Sequence, residues 1–179
     1  SDHGLLGVTD LRGRLVGLGA FWDTLFPPGS ASDSLYPGQP YIMFMSHIFL
    51  HAGMAHALMN SVILISLSKT LAIYTSIRFV LISMVLGGFA SALVFGCLAD
   101  TSSPMIGASG VAFALIGFWL RKNHAEQGLS GKTKQSFISI LLGLVLIHLI
   151  LHVLMTGRIA WQAHLGGFLT GYFIIPVFE

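Results

Sequence analysis

The stretch HAGMAHALMNSVILISLSKTLAIYTSIRFVLISMVLGGFASALVFGCL, residues 51–98, decides the fold. It contains two apolar runs, about 54–73 and 77–98, each close to the ~20 residues needed to cross a hydrocarbon core. A short turn joins them, flanked by Lys69 and Arg78. Three polar side chains, His51, His56 and Asn60, stand just before or within the first run. In hydrocarbon such groups are costly unless they are paired or line a wet cavity, so each is a candidate for function.

The rest of the chain agrees with this reading. Of its 179 residues 54% are hydrophobic and only 9% charged, against roughly 25% charged in a soluble domain. The charge deficit is the more telling figure, because soluble cores are also rich in Leu and Val. The expected class is all-α, a polytopic membrane helix bundle. A net charge of +2, with no basic block, gives no support to a nucleic-acid partner. The single cysteine, Cys97, excludes an internal disulfide and a cysteine metal cluster, and is expected to be a small buried hydrophobe.

Three further runs, about 108–121, 136–155 and 161–178, bring the expected spans to five. Residues 1–50 differ, with Gly, Pro, Ser and Asp scattered through them and an irregular FPPGSAS. Within 11–26, Leu11, Leu15, Leu18, Trp22, Leu25 and Phe26 recur at three- to four-residue spacing, as in an amphipathic interfacial segment. The chain therefore divides into a non-spanning segment, 1–50, partly interfacial, and a transmembrane core, 51–179. Lys69, Arg78, Arg121, Lys122, Lys132 and Lys134 all fall in loops of one side, which marks 69–78 and 121–135 as cytoplasmic. Asp2, Asp10, Asp23, Asp33 and Asp100 fall on the other side, which is then extracytoplasmic.

Three motifs meet on that outer side. His56 and Asn60, four apart, share a helix face, and His51 precedes the helix. Alone, they also suit hydrogen-bonded helix packing. Ser109 lies in Gly107-Ala108-Ser109-Gly110 at the start of the short third span, where a serine is commonly a helix cap and the glycines allow close approach. His164 stands about one turn into the last span, before Gly167-x-x-x-Gly171, a spacing that lets helices approach closely. Taken together, the three supply a complete acyl-transfer set. A serine needs a base to take its proton, imidazole suits that task near neutral pH, and the oxyanion needs donors such as His56, Asn60 and a helix-start N–H.

With these motifs the sequence resembles the rhomboid family of intramembrane serine proteases over about residues 40–178. HAGMAHALMN is similar to the family's H-x-x-x-x-H-x-x-x-N element, GASG to its G-x-S-G nucleophile motif, and AHLGGFLTG to its A-H-x-x-G-x-x-x-G. The resemblance implies that Ser109 is the nucleophile and His164 the general base, a dyad without an aspartate. It implies an oxyanion hole of His56, Asn60 and the Ser109 N–H, with His51 ordering the outer loop. The five runs then correspond to the second to sixth family helices, so the chain is expected to be a fragment or processed form lacking the first. Many members carry Tyr four residues after the nucleophile; here it is Phe113, whose ring can still pack on imidazole. A Trp-Arg pair common in the first loop is absent, with Ile42 and Met43 near that place.

The expected activity is hydrolysis of transmembrane segments of membrane proteins near the extracytoplasmic side, without cofactor or metal. The partners are transmembrane protein substrates and the lipid bilayer, and the location a bacterial inner (plasma) membrane with the site opening outward. Two other readings stay open. One is a non-catalytic rhomboid-like scaffold or subunit of a larger membrane assembly. The other is a metal transporter, since His148 and His152, and likewise His47 and His51, are four apart; yet no carboxylate lies among the spans, and interhelical hydrogen bonds explain His148 and His152 as well.

Overall fold

The computed structural model describes residues 10–29, 34–101, 103–127, 131–154 and 159–174. Among them the regular structure is helical, apart from one antiparallel bridge between Phe21 and Met105. The helices are α1 (Leu11–Gly19), α2 (Gln39–Ser46), α3 (Met54–Tyr74), α4 (Ile77–Leu98), α5 (Ser109–Gln127), α6 (Gly131–Leu154) and α7 (Trp161–Leu169), with a π turn over Thr170–Ile174. Two of them, α3 and α4, are long and apolar enough to cross a membrane.

Thr75 ends α3 in extended backbone, and the Ser76 hydroxyl accepts from the Arg78 N–H to start α4. The two helices therefore fold back on one another. Helix α4 shows why this chain suits lipid. It buries Val80, Ser83, Gly87, Gly88, Ser91, Ala92 and Phe95, largely small residues, and exposes Leu81, Val85, Phe89 and Leu93. Water would reverse that arrangement. Between lipid and protein there is little hydrophobic gain from burying leucine, so close backbone packing of small residues holds the helices together. Cys97 follows the same rule and corrects the sequence expectation: it is exposed, because it falls outside the face that α4 buries.

Small residues also set the contact between α5 and α7. A Cβ on Gly167 would strike the Gly110 carbonyl oxygen, and one on Gly171 would strike that of Ala114. Gly166 also lies tight against the Ala90 carbonyl oxygen and Val94 of α4, where a Cβ would come within 2.6 and 2.9 Å. Because backbone atoms cannot yield as side chains do, Gly171→Val is expected to cost about 3 kcal/mol or more. Thermal unfolding in detergent checks this, with Gly143→Val, at a position where a Cβ meets nothing, as the control.

Residues 10–29 and 34–50 form a packed unit rather than a single amphipathic helix. The periodicity read over 11–26 breaks at Ala20, where the chain turns extended and Phe21 pairs with Met105 through N–H···O bonds of 3.0 and 2.8 Å. Leu15 and Leu18 are exposed, whereas Phe21 and Leu25 are buried with Met43, Phe44 and Phe95. Polar side chains tie the segment to itself. The buried Gln39 donates to the Gly17 carbonyl at 2.7 Å and accepts from the Leu35 N–H at 2.7 Å. Ser46 donates to the Gly19 carbonyl at 2.7 Å, and Tyr36 to that of Leu18 at 3.0 Å.

His47 closes this unit on the bundle. It is buried, its Nε2 lies 3.4 Å from the Gly88 carbonyl oxygen, and its own carbonyl accepts from the Gly107 N–H at 3.0 Å. Burial lowers its pKa from 6.5 to about 4, against smaller opposing effects of backbone hydrogen bonds. A folded pKa below the unfolded one stabilises fully above about 6.5, and that contribution is lost as pH falls toward 4. The thermal midpoint is therefore expected to fall between those pH values, and to fall less in His47→Gln. An identical fall in both proteins contradicts the assignment.

Candidate active site

The site forms where α3, α5 and α7 meet beside the loop preceding α5. Gly107 has a φ of +120°, a conformation open to glycine, and a Cβ there would come within 2.8 Å of His56 Cε1 and 3.0 Å of Nε2. Glycine is thus required twice, for the backbone and for the space. The turn delivers Ser109 as the first residue of α5. Its hydroxyl does not serve simply as a helix cap, for Oγ lies 2.7 Å from His164 Nε2 on α7. Such proximity follows from the glycine contacts, since Gly110 packs on Gly167 and draws the two helix starts together.

Phe113, one turn after Ser109, stacks on the His164 ring with centroids 4.4 Å apart and planes within 7°. The imidazole plane is therefore held while its Nε2 edge meets serine. His164 Nδ1, on the other edge, lies 3.2 Å from Nδ1 of His148 on α6, and the two rings are nearly perpendicular at 88°. Sequence reasoning expected an interhelical hydrogen bond at His148 but did not identify His164 as its partner. The spacing of His148 to His152 suggested a pair on one helix, and nothing in the sequence places α6 against α7. The side chain of His152 lies outside the described residues.

His56 and Asn60 face the same turn from α3. The Ala52 N–H lies 3.3 Å from His56 Nδ1, so a neutral ring accepting there carries its proton on Nε2, the atom close to Gly107. Asn60 is buried, and its Nδ2 has no hydrogen-bond partner among the described residues. That amide lies 3.8 Å from the Cβ position of Gly107. Two N–H donors therefore converge beside the start of α5, whose first amide N–H groups have no intrahelical partners. An anion formed on an atom bound to Ser109 Oγ would find donors on several sides. His51 does not reach this point; it packs edge-on against His56 at 5.1 Å, with its Nε2 buried and unpaired among the described residues. Among the described residues no group of three His, Cys, Asp or Glu converges as metal ligands do.

Phe113, His148 and His164 also line one side of a cleft of about 290 Å³ between α5, α6 and α7, completed by Leu144, Val145 and Trp161. An apolar helical protein with a serine–histidine pair beside convergent N–H donors is the class these features define. The match to the Rhomboid domain covers residues 38–178, and the chain belongs to the rhomboid family, as an integral membrane protein. It is 30% identical over 132 residues to RHOMBOID-like protein 5 of Arabidopsis thaliana, covering 73% of this chain and 41% of that one. To RHOMBOID-like protein 9, chloroplastic, of the same plant, it is 31% identical over 162 residues, covering 84% of this chain and 35% of that one. The chain thus spans well under half the length of these curated relatives. No solved structure matches it significantly.

Proposed function

We propose that this chain is an intramembrane serine endopeptidase that hydrolyses transmembrane segments near their extracytoplasmic ends through Ser109 and His164. The observation that carries the reading is the 2.7 Å contact of Ser109 Oγ with His164 Nε2, beside an unpaired buried Asn60 amide. In this reading α3 to α7 are the second to sixth helices of a rhomboid core. Residues 1–50 form the outer first loop, and the membrane is a bacterial inner (plasma) membrane. The exposed Arg121, about three turns along α5 from Ser109, supports the orientation, because basic residues favour the cytoplasmic side.

The chemistry follows from the geometry. Ser109 Oγ attacks the scissile carbonyl carbon while His164 Nε2 takes its proton. The carbonyl oxygen becomes an oxyanion, received by His56 Nε2–H, Asn60 Nδ2–H and the Ser109 N–H. His164 returns the proton to the leaving amine as the C–N bond breaks. Water then attacks the ester, again with His164 as base, and frees the carboxylate and Ser109. A substrate helix must unwind for this, which favours small residues near the cut.

Purified protein in liposomes, given a single-span peptide with small residues near its outer end, tests the reading. Cleavage within that span is the expected result. An intact peptide, with the protein folded and the peptide bound, supports the scaffold instead.

A further inference from the structure

We propose that His148 is a positioning residue for His164. Its Nδ1 accepts the Nδ1 proton of His164 and so fixes the one tautomer that leaves Nε2 free to act as base. The inference rests on the serine-protease reading and adds a residue to it that Ser109 never touches.

The argument starts from the 3.2 Å separation of the two Nδ1 atoms. A neutral imidazole has one N–H and one lone pair, and two Nδ1 atoms at this distance share a hydrogen bond when one carries a proton and the other does not. Two arrangements satisfy that condition. With the proton on His164 Nδ1, its Nε2 lone pair points at the Ser109 hydroxyl, which donates to it across 2.7 Å. With the proton on His148 Nδ1, His164 must accept there and carry its proton on Nε2. It then donates to Ser109 Oγ and cannot receive the serine proton. Only the first arrangement is a base.

The geometry suits His148 to the accepting role. The His164 plane is clamped by Phe113, so its Nδ1 edge can meet a partner only in that plane. His148 approaches edge-on, its centroid 4.9 Å from that of His164, from an α6 wall made of Leu141, Leu144 and Val145. Among the described residues, the Ser109 hydroxyl of α5 bonds to the pair, and His56 of α3 lies near enough to act on His164 electrostatically. When His164 becomes an imidazolium during acyl transfer, the same Nδ1–H donates more strongly to His148, since a charged donor roughly doubles a hydrogen bond. A neutral acceptor gives less than a carboxylate would. The effect is orientation first and charge stabilisation second.

The test pairs kinetics with a measurement independent of activity. His148→Leu, similar in volume and at home in this cleft, is expected to lower kcat about 10–100-fold with KM unchanged, by analogy with loss of the hydrogen-bond partner that orients a metal-ligating histidine. His148→Gln, whose amide oxygen accepts but does not titrate, is expected to recover most of that loss. Nitrogen-15 NMR of histidine-labelled protein is expected to show His164 protonated on Nδ1 in the wild type and in His148→Gln, and shifted toward Nε2 protonation in His148→Leu. Unchanged kcat in His148→Leu, or an unchanged His164 tautomer, overturns the proposal while leaving the Ser109 mechanism standing. A wild type that cleaves nothing but shows the tautomer shift overturns the protease reading alone.

Discussion

Ser109→Ala is expected to lower peptide cleavage about 10⁴-fold or more, into the background, and His164→Ala to do nearly the same. The loss is large because neither group works without the other: serine is a weak nucleophile until imidazole takes its proton, and the imidazole has no ester to hydrolyse until serine has formed one. The double variant is therefore expected to be no slower than either single one, a strong departure from additivity. Stability is expected to change little, because both side chains are only partly buried and their mutual hydrogen bond is worth about 1 kcal/mol. Cleavage rates in liposomes and thermal midpoints in detergent check both halves. Additive losses from the two substitutions contradict a dyad.

The second large effect is expected at Asn60. Asn60→Leu should lower kcat ~10²–10³-fold, the cost of one oxyanion donor, with little change in KM. This residue separates function from structure clearly, since its Nδ2 is already buried without a partner. An orphaned buried donor costs about 1–3 kcal/mol, so removing it should leave the thermal midpoint unchanged or raise it. A donor kept unpaired at rest is ready for charge that appears only during reaction. A variant that loses stability while keeping kcat contradicts this role and returns Asn60 to helix packing.

Much of this architecture is legible in the residues. The turn at Thr75 and Ser76 separates two apolar runs, and the structure places α3 and α4 within a residue of those bounds. Elsewhere periodicity misleads at the edges. The third run reads as ending near 121, but α5 continues to Gln127, because Arg121 and Lys122 are as good helix formers as leucine. The last run reads as one helix to 178, yet its regular part ends at Leu169 and widens over Thr170–Ile174. Gly171, packed on α5, and the Thr170 hydroxyl, bonded back to the Gly166 carbonyl at 2.9 Å, lie at that change.

For the site, the Gly167 and Gly171 spacing pointed to close docking of the His164 helix on a neighbour, and the family resemblance, rather than the spacing, implied that the neighbour carries Ser109. The tautomer of His56 was not legible. It depends on the Ala52 N–H, a backbone group that sequence reading does not place. His47 and Gln39 were hidden for a related reason: their partners are carbonyl oxygens of Gly88 and Gly17, and any residue supplies a carbonyl. His148 was visible as an oddity in an apolar helix, but its target lay on a helix whose position only the fold supplies.

The most direct test of the central claim is covalent labelling of the detergent-solubilised, folded protein with a fluorophosphonate, followed by mass spectrometry of its peptides. The adduct is expected on Ser109 of the wild type, greatly slowed in His164→Ala and absent in Ser109→Ala. Labelling at another serine, or undiminished labelling of the His164→Ala protein, would contradict the claim that His164 makes Ser109 a nucleophile.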